Sequence, residues 1–127
     1  MNKTILIVDD SMYMRSMISQ LATNAGYTVV GEAGDGETAI SMALSLKPDL
    51  ITLDNILPDM IGIDILRILK EDEHISSKVI IISAVGQEAV INEGLSLGAS
   101  DYLTKPFTPE QFSDVLNKVN LETLSER

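Results

Sequence analysis

Five short apolar runs, each followed by a longer segment with apolar residues at helical spacing, leave this chain few folds to choose from. The runs are "TILIVD" (4–9), "YTVVGEA" (27–33), "DLITLD" (49–54), "KVIIIS" (78–83) and "DYLT" (101–104). The first, third and fourth are continuously apolar, as expected of parallel strands covered on both faces. Five strand–helix units in series predict an α/β fold: a (βα)5 doubly wound, five-stranded parallel sheet with helices on both sides.

The intervening segments carry the 3.6-residue period. Met14, Met17, Ile18, Leu21, Ala22 and Ala25 form one stripe, and Gly26 suits a left-handed stop. Ala39, Ile40, Ala43 and Leu44 mark the second helix, and Ile65, Leu66 and Leu69 the third. Ala89, Val90, Leu95 and Leu97, with Gly98 behind them, mark the fourth. Thr108-Pro109 reads as N-cap and first turn of the fifth, with Phe112, Val115, Leu116 and Val119 inward. The stripe methionines read as core packing, and with few aromatics the core is expected to be aliphatic.

At 127 residues the chain is expected to be one domain, 1–127, with a substantial core. No apolar run approaches the ~20 residues needed to cross a bilayer, and no signal-peptide pattern precedes the first strand. Without cysteine there is neither a disulfide framework nor a thiolate metal site, so a cytoplasmic setting is expected. The net charge of −10 argues against nucleic acid or an anionic membrane as a direct partner.

Ligands of open α/β sheets bind outside the carboxyl ends of the strands, where the strand order reverses. Strand 1 ends there in Asp9-Asp10, strand 3 in Asp54, strand 4 in Ser83, and strand 5 in Lys105 after Thr104. Taken singly, each has an ordinary use: Asp9-Asp10-Ser11 as a helix cap, Asp54 and Ser83 as turn formers, Lys105 as a surface lysine. Taken together they gather three carboxylates that raise one another's pKa unless a cation compensates them. Mg²⁺ suits such an oxygen-only set. A metal, a lysine, a hydroxyl and a nucleophilic carboxylate are the equipment of phosphoryl transfer.

Four stretches in this order and spacing resemble the receiver domain of bacterial two-component response regulators, most closely the stand-alone chemotaxis regulators. They are Asp9-Asp10, "LDNILPDMIG" (53–62), "IISA" (81–84) and "TKPF" (104–107). The resemblance implies a flavodoxin-like sheet of order 2-1-3-4-5 and a signalling module phosphorylated on Asp54 by a histidine kinase. It implies Mg²⁺ held by Asp10, Asp54 and the carbonyl of Ile56, with Asp9 acting mainly through metal-bound water. Ser83 and Lys105 would contact the phosphoryl group, Tyr102 would be the aromatic that turns inward on activation, and Lys105-Pro106 would be cis. The implied output is a protein contact made by helix 4, strand 5 and helix 5, plausible at the flagellar motor switch, with the monomer as default state. Since the chain ends at Arg127, no DNA-binding output domain is expected. Lys105 is expected to matter more for switching than for folding.

Some positions depart from the family pattern or refine it. Ile61 stands before Gly62, where the family usually has a polar turn residue. Ile56 and Val85, two beyond Asp54 and Ser83, are both apolar and are expected to tune phosphoryl lifetime. Met12 and Tyr13 lie outside the helix 1 stripe and are expected to help dock the phosphodonor. The run "GEAGDGE" (31–37) imitates a phosphate loop but follows strand 2 and lacks a lysine, so it reads as a turn. His74 reads as a solvated loop residue.

A second signalling role stays open: a phosphorelay intermediate, passing phosphate to a histidine phosphotransfer protein, uses the same equipment, and the sequence does not decide between the two. Enzyme and flavin-binding functions fit less well. A Mg²⁺-dependent phosphohydrolase of the haloacid dehalogenase type needs an Asp-x-Asp pair, and the second acid here is Ile56. A flavodoxin needs a Ser/Thr/Gly-rich phosphate loop after strand 1, which is missing. The expectation is therefore no enzyme beyond catalysis of its own phosphorylation and dephosphorylation.

Overall fold

The computed structural model describes residues 3–125, with side chains over 3–120. Strands β1 (Lys3–Val8), β2 (Tyr27–Ala33), β3 (Leu50–Asp54), β4 (Lys78–Ala84) and β5 (Asp101–Lys105) alternate with helices. The helices are α1 (Met12–Asn24), α2 (Gly36–Leu46), α3 (Gly62–Arg67), α4 (Glu88–Ser96) and α5 (Pro109–Ser125). A π turn, Ile68–Asp72, prolongs α3. All strand pairs are parallel and the order is β2-β1-β3-β4-β5, as expected.

The unbroken apolar runs have a simple cause. Successive strand side chains point to opposite faces, and both faces are buried. Ile5, Ile7, Leu50, Ile80 and Ile82 meet Ile18 and Ala22 of α1 and Phe112, Val115, Leu116 and Val119 of α5. Leu6, Val8, Ile51, Leu53 and Ile81 face the other way, toward Ala39 and Ala43 of α2 and Ile65, Leu66 and Leu69.

The helix ends follow local chemistry. Ser11 caps α1 through Met14 N–H at 3.2 Å. Thr108 and Gln111 at the start of α5 exchange side-chain and backbone hydrogen bonds at 2.9 and 3.1 Å, a reciprocal capping box. Gly26 takes φ +95° after α1, where a side chain would be strained.

Three readings of the helix stripes need correction. Ala25 is the exposed C-cap residue of α1, and Leu44 lies on the solvent side of α2. In α4 both Ala89 and Leu95 are exposed, and the buried residue is Gly94. A Cβ at Gly94 would overlap Cδ1 of Ile81, so the helix comes closest to the sheet at bare backbone, while Val90 and Leu97 pack against the core as expected. Met14 and Met17 are half-buried in α1, and His74 is an exposed loop residue at φ +53°.

Candidate metal and phosphoryl-transfer site

The sheet delivers the expected residues to one edge. Asp9 follows β1, with its amide donating to Ala33 O of β2 at 3.0 Å, and Asp10 leads into the cap of α1. Asp54 is the last residue of β3, paired in register with Ile82 of β4. Ser83 pairs with Thr104, and Ala84 with Lys105. The cluster of Asp9, Asp10 and Asp54 has one carboxylate oxygen from each within 4.8 Å of the others.

The three acids occupy different surroundings. Asp9 is fully buried, accepting from Ser11 N–H at 2.9 Å and Lys105 Nζ at 2.9 Å. Asp54 is 7% exposed and accepts from Lys105 Nζ at 3.3 Å. Asp10 is exposed. Burial, with the charge of Asp9 and a smaller push from Asp10, raises the Asp54 carboxyl above its ordinary value, although Lys105 opposes the shift. Burial alone would lower the Lys105 ammonium, but its hydrogen bond to Asp9 and the charges of both acids leave it raised. One lysine therefore serves two carboxylates, and a third carboxylate stands beside them.

This donor set fits Mg²⁺. It is made of hard oxygen atoms only, it carries more negative charge than Lys105 offsets, and Asp10 leaves a side open for water. Ser83 is almost wholly buried and its Oγ has no hydrogen-bond partner, as does Oδ1 of the buried Asn55 beside Asp54. Orphaned buried hydroxyls are uncommon. Here the orphan sits one position from the partner of Asp54 in the ladder.

Other expected residues lie around the rim. Met12 and Tyr13 are 75% and 77% exposed at the start of α1, while Ile56 and Val85 are 58% and 76% exposed on the loops after β3 and β4. Ile61 is exposed as well; its extended backbone forms a bridge with Ile56 and opens α3 without a side-chain cap. Tyr102 is exposed and lines a groove of about 400 Å³ with Pro106, Gln111, Asp114 and Lys118. The Lys105-Pro106 bond is cis.

Two features here escaped sequence reasoning. Arg15 donates from Nη1 to the Asp9 carbonyl at 2.6 Å while its Nε pairs with Glu32 at 3.3 Å. It is the one cation of α1, which was the available signal. Gly62 is needed because a Cβ would lie 2.7 Å from the Asp54 carbonyl. Lys105 has a structural share too: it compensates a fully buried acid, so its effect is not confined to switching.

An acid pair, a near-buried aspartate, an orphaned hydroxyl and a bridging lysine thus meet at one sheet edge, as the resemblance to receiver domains implied. The family model for the response regulator receiver domain matches residues 5–117, and the chain belongs to that family. Over 121 residues it is 44% identical to the chemotaxis protein CheY of Thermotoga maritima, covering 94% of this chain and 99% of that protein. It is 36% identical over 114 residues to CheY of Bacillus subtilis, covering 90% and 94%. A solved structure with a TM-score of 0.87 and 31% identity is the CheX–CheY–BeF3–Mg complex of Borrelia burgdorferi, covering 93% of this chain and 89% of that one. The fold, the receiver class and a role in phosphorylation-dependent signalling follow.

Proposed function

We propose that this domain is a chemotaxis switch that takes a phosphoryl group from a histidine kinase onto Asp54. The observation that carries the reading is the state of Asp54: nearly buried, crowded by Asp9 and Asp10, and held only by a lysine it shares. An Asp54 carboxylate oxygen attacks the phosphorus of a phosphohistidine. The P–O bond forms as the P–N bond breaks, and the imidazole leaves with the electron pair. Hydrolysis later returns the carboxylate and releases inorganic phosphate.

Each neighbour has a part. Asp10, Asp54 and the Ile56 carbonyl would hold Mg²⁺, with Asp9 in support. When bound, the ion neutralises charge that develops on the transferring phosphoryl oxygens. Lys105 is freed from Asp54 to pair with one phosphoryl oxygen, and the unpartnered Ser83 hydroxyl donates to another. Movement of Ser83 and Lys105 is felt by Thr104 and Tyr102 on β5, next in the ladder, and the α4–β5–α5 surface changes its affinity for a protein partner. Similarity to chemotaxis proteins supports the flagellar motor switch as that partner.

Met12 and Tyr13 give the donor an apolar foothold beside the acids. The decisive experiment incubates the chain with acetyl phosphate, with and without Mg²⁺, and follows intact mass. A Mg²⁺-dependent phosphoryl adduct, lost in Asp54→Asn, is expected; an adduct of equal stability in Asp54→Asn rejects the assignment. Met12→Asp should slow transfer from the kinase and spare acetyl phosphate, and equal slowing with both donors rejects the docking role.

A further inference from the structure

The glycine-rich turn after β2 has its use in the loop that follows Asp54. A helix begins with N–H groups that find no partner within it. In α2, Thr38 N–H donates to Asp35 Oδ1 at 2.8 Å and Ala39 N–H to the Asp35 carbonyl at 3.1 Å. The two earlier groups are satisfied from elsewhere: Gly36 N–H donates to Asp59 Oδ1 at 2.7 Å, and Glu37 N–H to Asp59 Oδ2 at 3.0 Å. These amides hold the Asp59 carboxyl below its ordinary value. The anion at this helix start is thus a carboxylate of the chain itself.

Met60 makes a second contact at the same place. A Cβ on Gly36 would lie 2.7 Å from Met60 Sδ and 2.9 Å from its Cβ, so the missing side chain admits the methionine. The loop is also closed on itself. Leu57 N–H donates to the Met60 carbonyl at 3.1 Å, Ile56 bridges Ile61, and Gly62 N–H donates to the Asn55 carbonyl. Residues 55–61 therefore form a small closed hairpin whose tip is tied to α2 through Asp59.

We propose that Asp59 is a positioning residue for the metal and phosphoryl site, fixing the loop that carries Ile56 by anchoring its tip on the N-terminus of α2. The inference rests on the reading of Ile56 as a metal ligand given under the proposed function. Mg²⁺ demands near-octahedral geometry at short distance, so a carbonyl on an untied loop is a poorer ligand than one held in place. Asp59 touches neither ion nor phosphate; it acts through the loop.

Mg²⁺ titration of the full chain by calorimetry, without phosphodonor, separates the possibilities. Asp59→Ala should raise the Mg²⁺ dissociation constant roughly ten-fold, as loss of outer support does at other metal sites. Asp59→Asn, which keeps one acceptor oxygen, should recover part of the affinity. Asp35→Ala is the control: it also uncaps α2 and lowers the melting temperature, but leaves the loop tie intact and should bind Mg²⁺ as the wild type does. Wild-type affinity in Asp59→Ala, or an equal loss in Asp35→Ala, overturns the proposal while leaving the phosphorylation reading standing. No Mg²⁺ binding by the wild type overturns both.

Discussion

The two edges of the sheet are built to opposite standards. At the amino edge the polar side chains close on one another. Asp49 accepts from Thr4 N–H at 2.7 Å and from its hydroxyl at 3.2 Å, while Asp49 N–H returns a bond to that hydroxyl at 3.0 Å. Ser77 donates to the Pro48 carbonyl at 2.5 Å and Tyr27 to Asn120 Oδ1 at 2.9 Å. Lys3, Lys47 and Lys78 supply positive charge there. At the carboxyl edge three acids share one lysine, and Ser83 and Asn55 keep unpaired polar atoms. The third buried and unpaired side-chain atom among the described residues, Thr52 Oγ1, lies two positions before Asp54. One edge is finished as a folded structure; the other keeps charge and hydrogen-bonding capacity in reserve.

The sharpest test of that contrast is Asp54→Asn. It should abolish phosphoryl acceptance, yet make the Mg²⁺-free protein more stable, because the raised carboxyl is costly to ionise in the native state. A gain on the order of 1 kcal/mol, roughly 3–5 °C in Tm, is expected by calorimetry. A loss of stability would mean the carboxyl edge is already compensated.

Lys105→Ala comes next. It leaves the buried Asp9 with only the Ser11 amide, so a cost of about 2 kcal/mol is expected in chemical denaturation. It should also remove the phosphorylation-dependent gain in partner affinity. Full stability in the variant would show that Asp9 does not depend on its lysine.

A smaller effect is expected from Ile56→Asn with Val85→Glu. The native pair offers no hydrogen bond to a water approaching phospho-Asp54, and both side chains are stiff. Polar replacements should speed phosphate release after donor removal by roughly ten-fold, about 1.4 kcal/mol of barrier. An unchanged rate would place control of lifetime elsewhere in the loop.

Tyr27→Phe probes the finished edge and should cost about 1 kcal/mol without altering phosphorylation. Burial, together with Asp49 and against the Asn120 hydrogen bond, raises the Tyr27 hydroxyl above its ordinary value. The native state then holds its proton where the unfolded chain has lost it. Stability from this group is complete below about pH 10 and falls as pH rises toward the native value. The alkaline limb of a stability–pH curve should flatten in Tyr27→Phe; an unaltered limb would exclude the tyrosine as its source.

What could be read in advance divides along similar lines. β1, β3 and β4 are legible because burial on both faces makes them uniformly apolar, and Asp9, Asp10, Asp54, Ser83 and Lys105 because strand ends in such folds share an edge. Stripe reading was half right in α4: Val90 and Leu97 pack against the core, but Ala89 and Leu95 are exposed and the closest approach is made by Gly94, which offers no side chain at all. The π turn at Ile68–Asp72 leaves no mark in the apolar spacing. Arg15 and Asp59 were hidden for another reason. Their partners, the Asp9 carbonyl and the first amides of α2, are backbone groups whose positions exist only after folding.

The bare contact at Gly94 also has a mechanical meaning. Gly94 is the only buried residue of α4, and Gln87 opens the helix without a side-chain cap. Val90 and Leu97 add only partly buried side chains, one on either side of Gly94 in the chain. With a rise of about 1.5 Å per residue, roughly 9 Å of helix separates Gly94 from Glu88, but only about 3 Å separates it from Ser96. The longer, more lightly packed end of α4 is therefore the one that follows Val85.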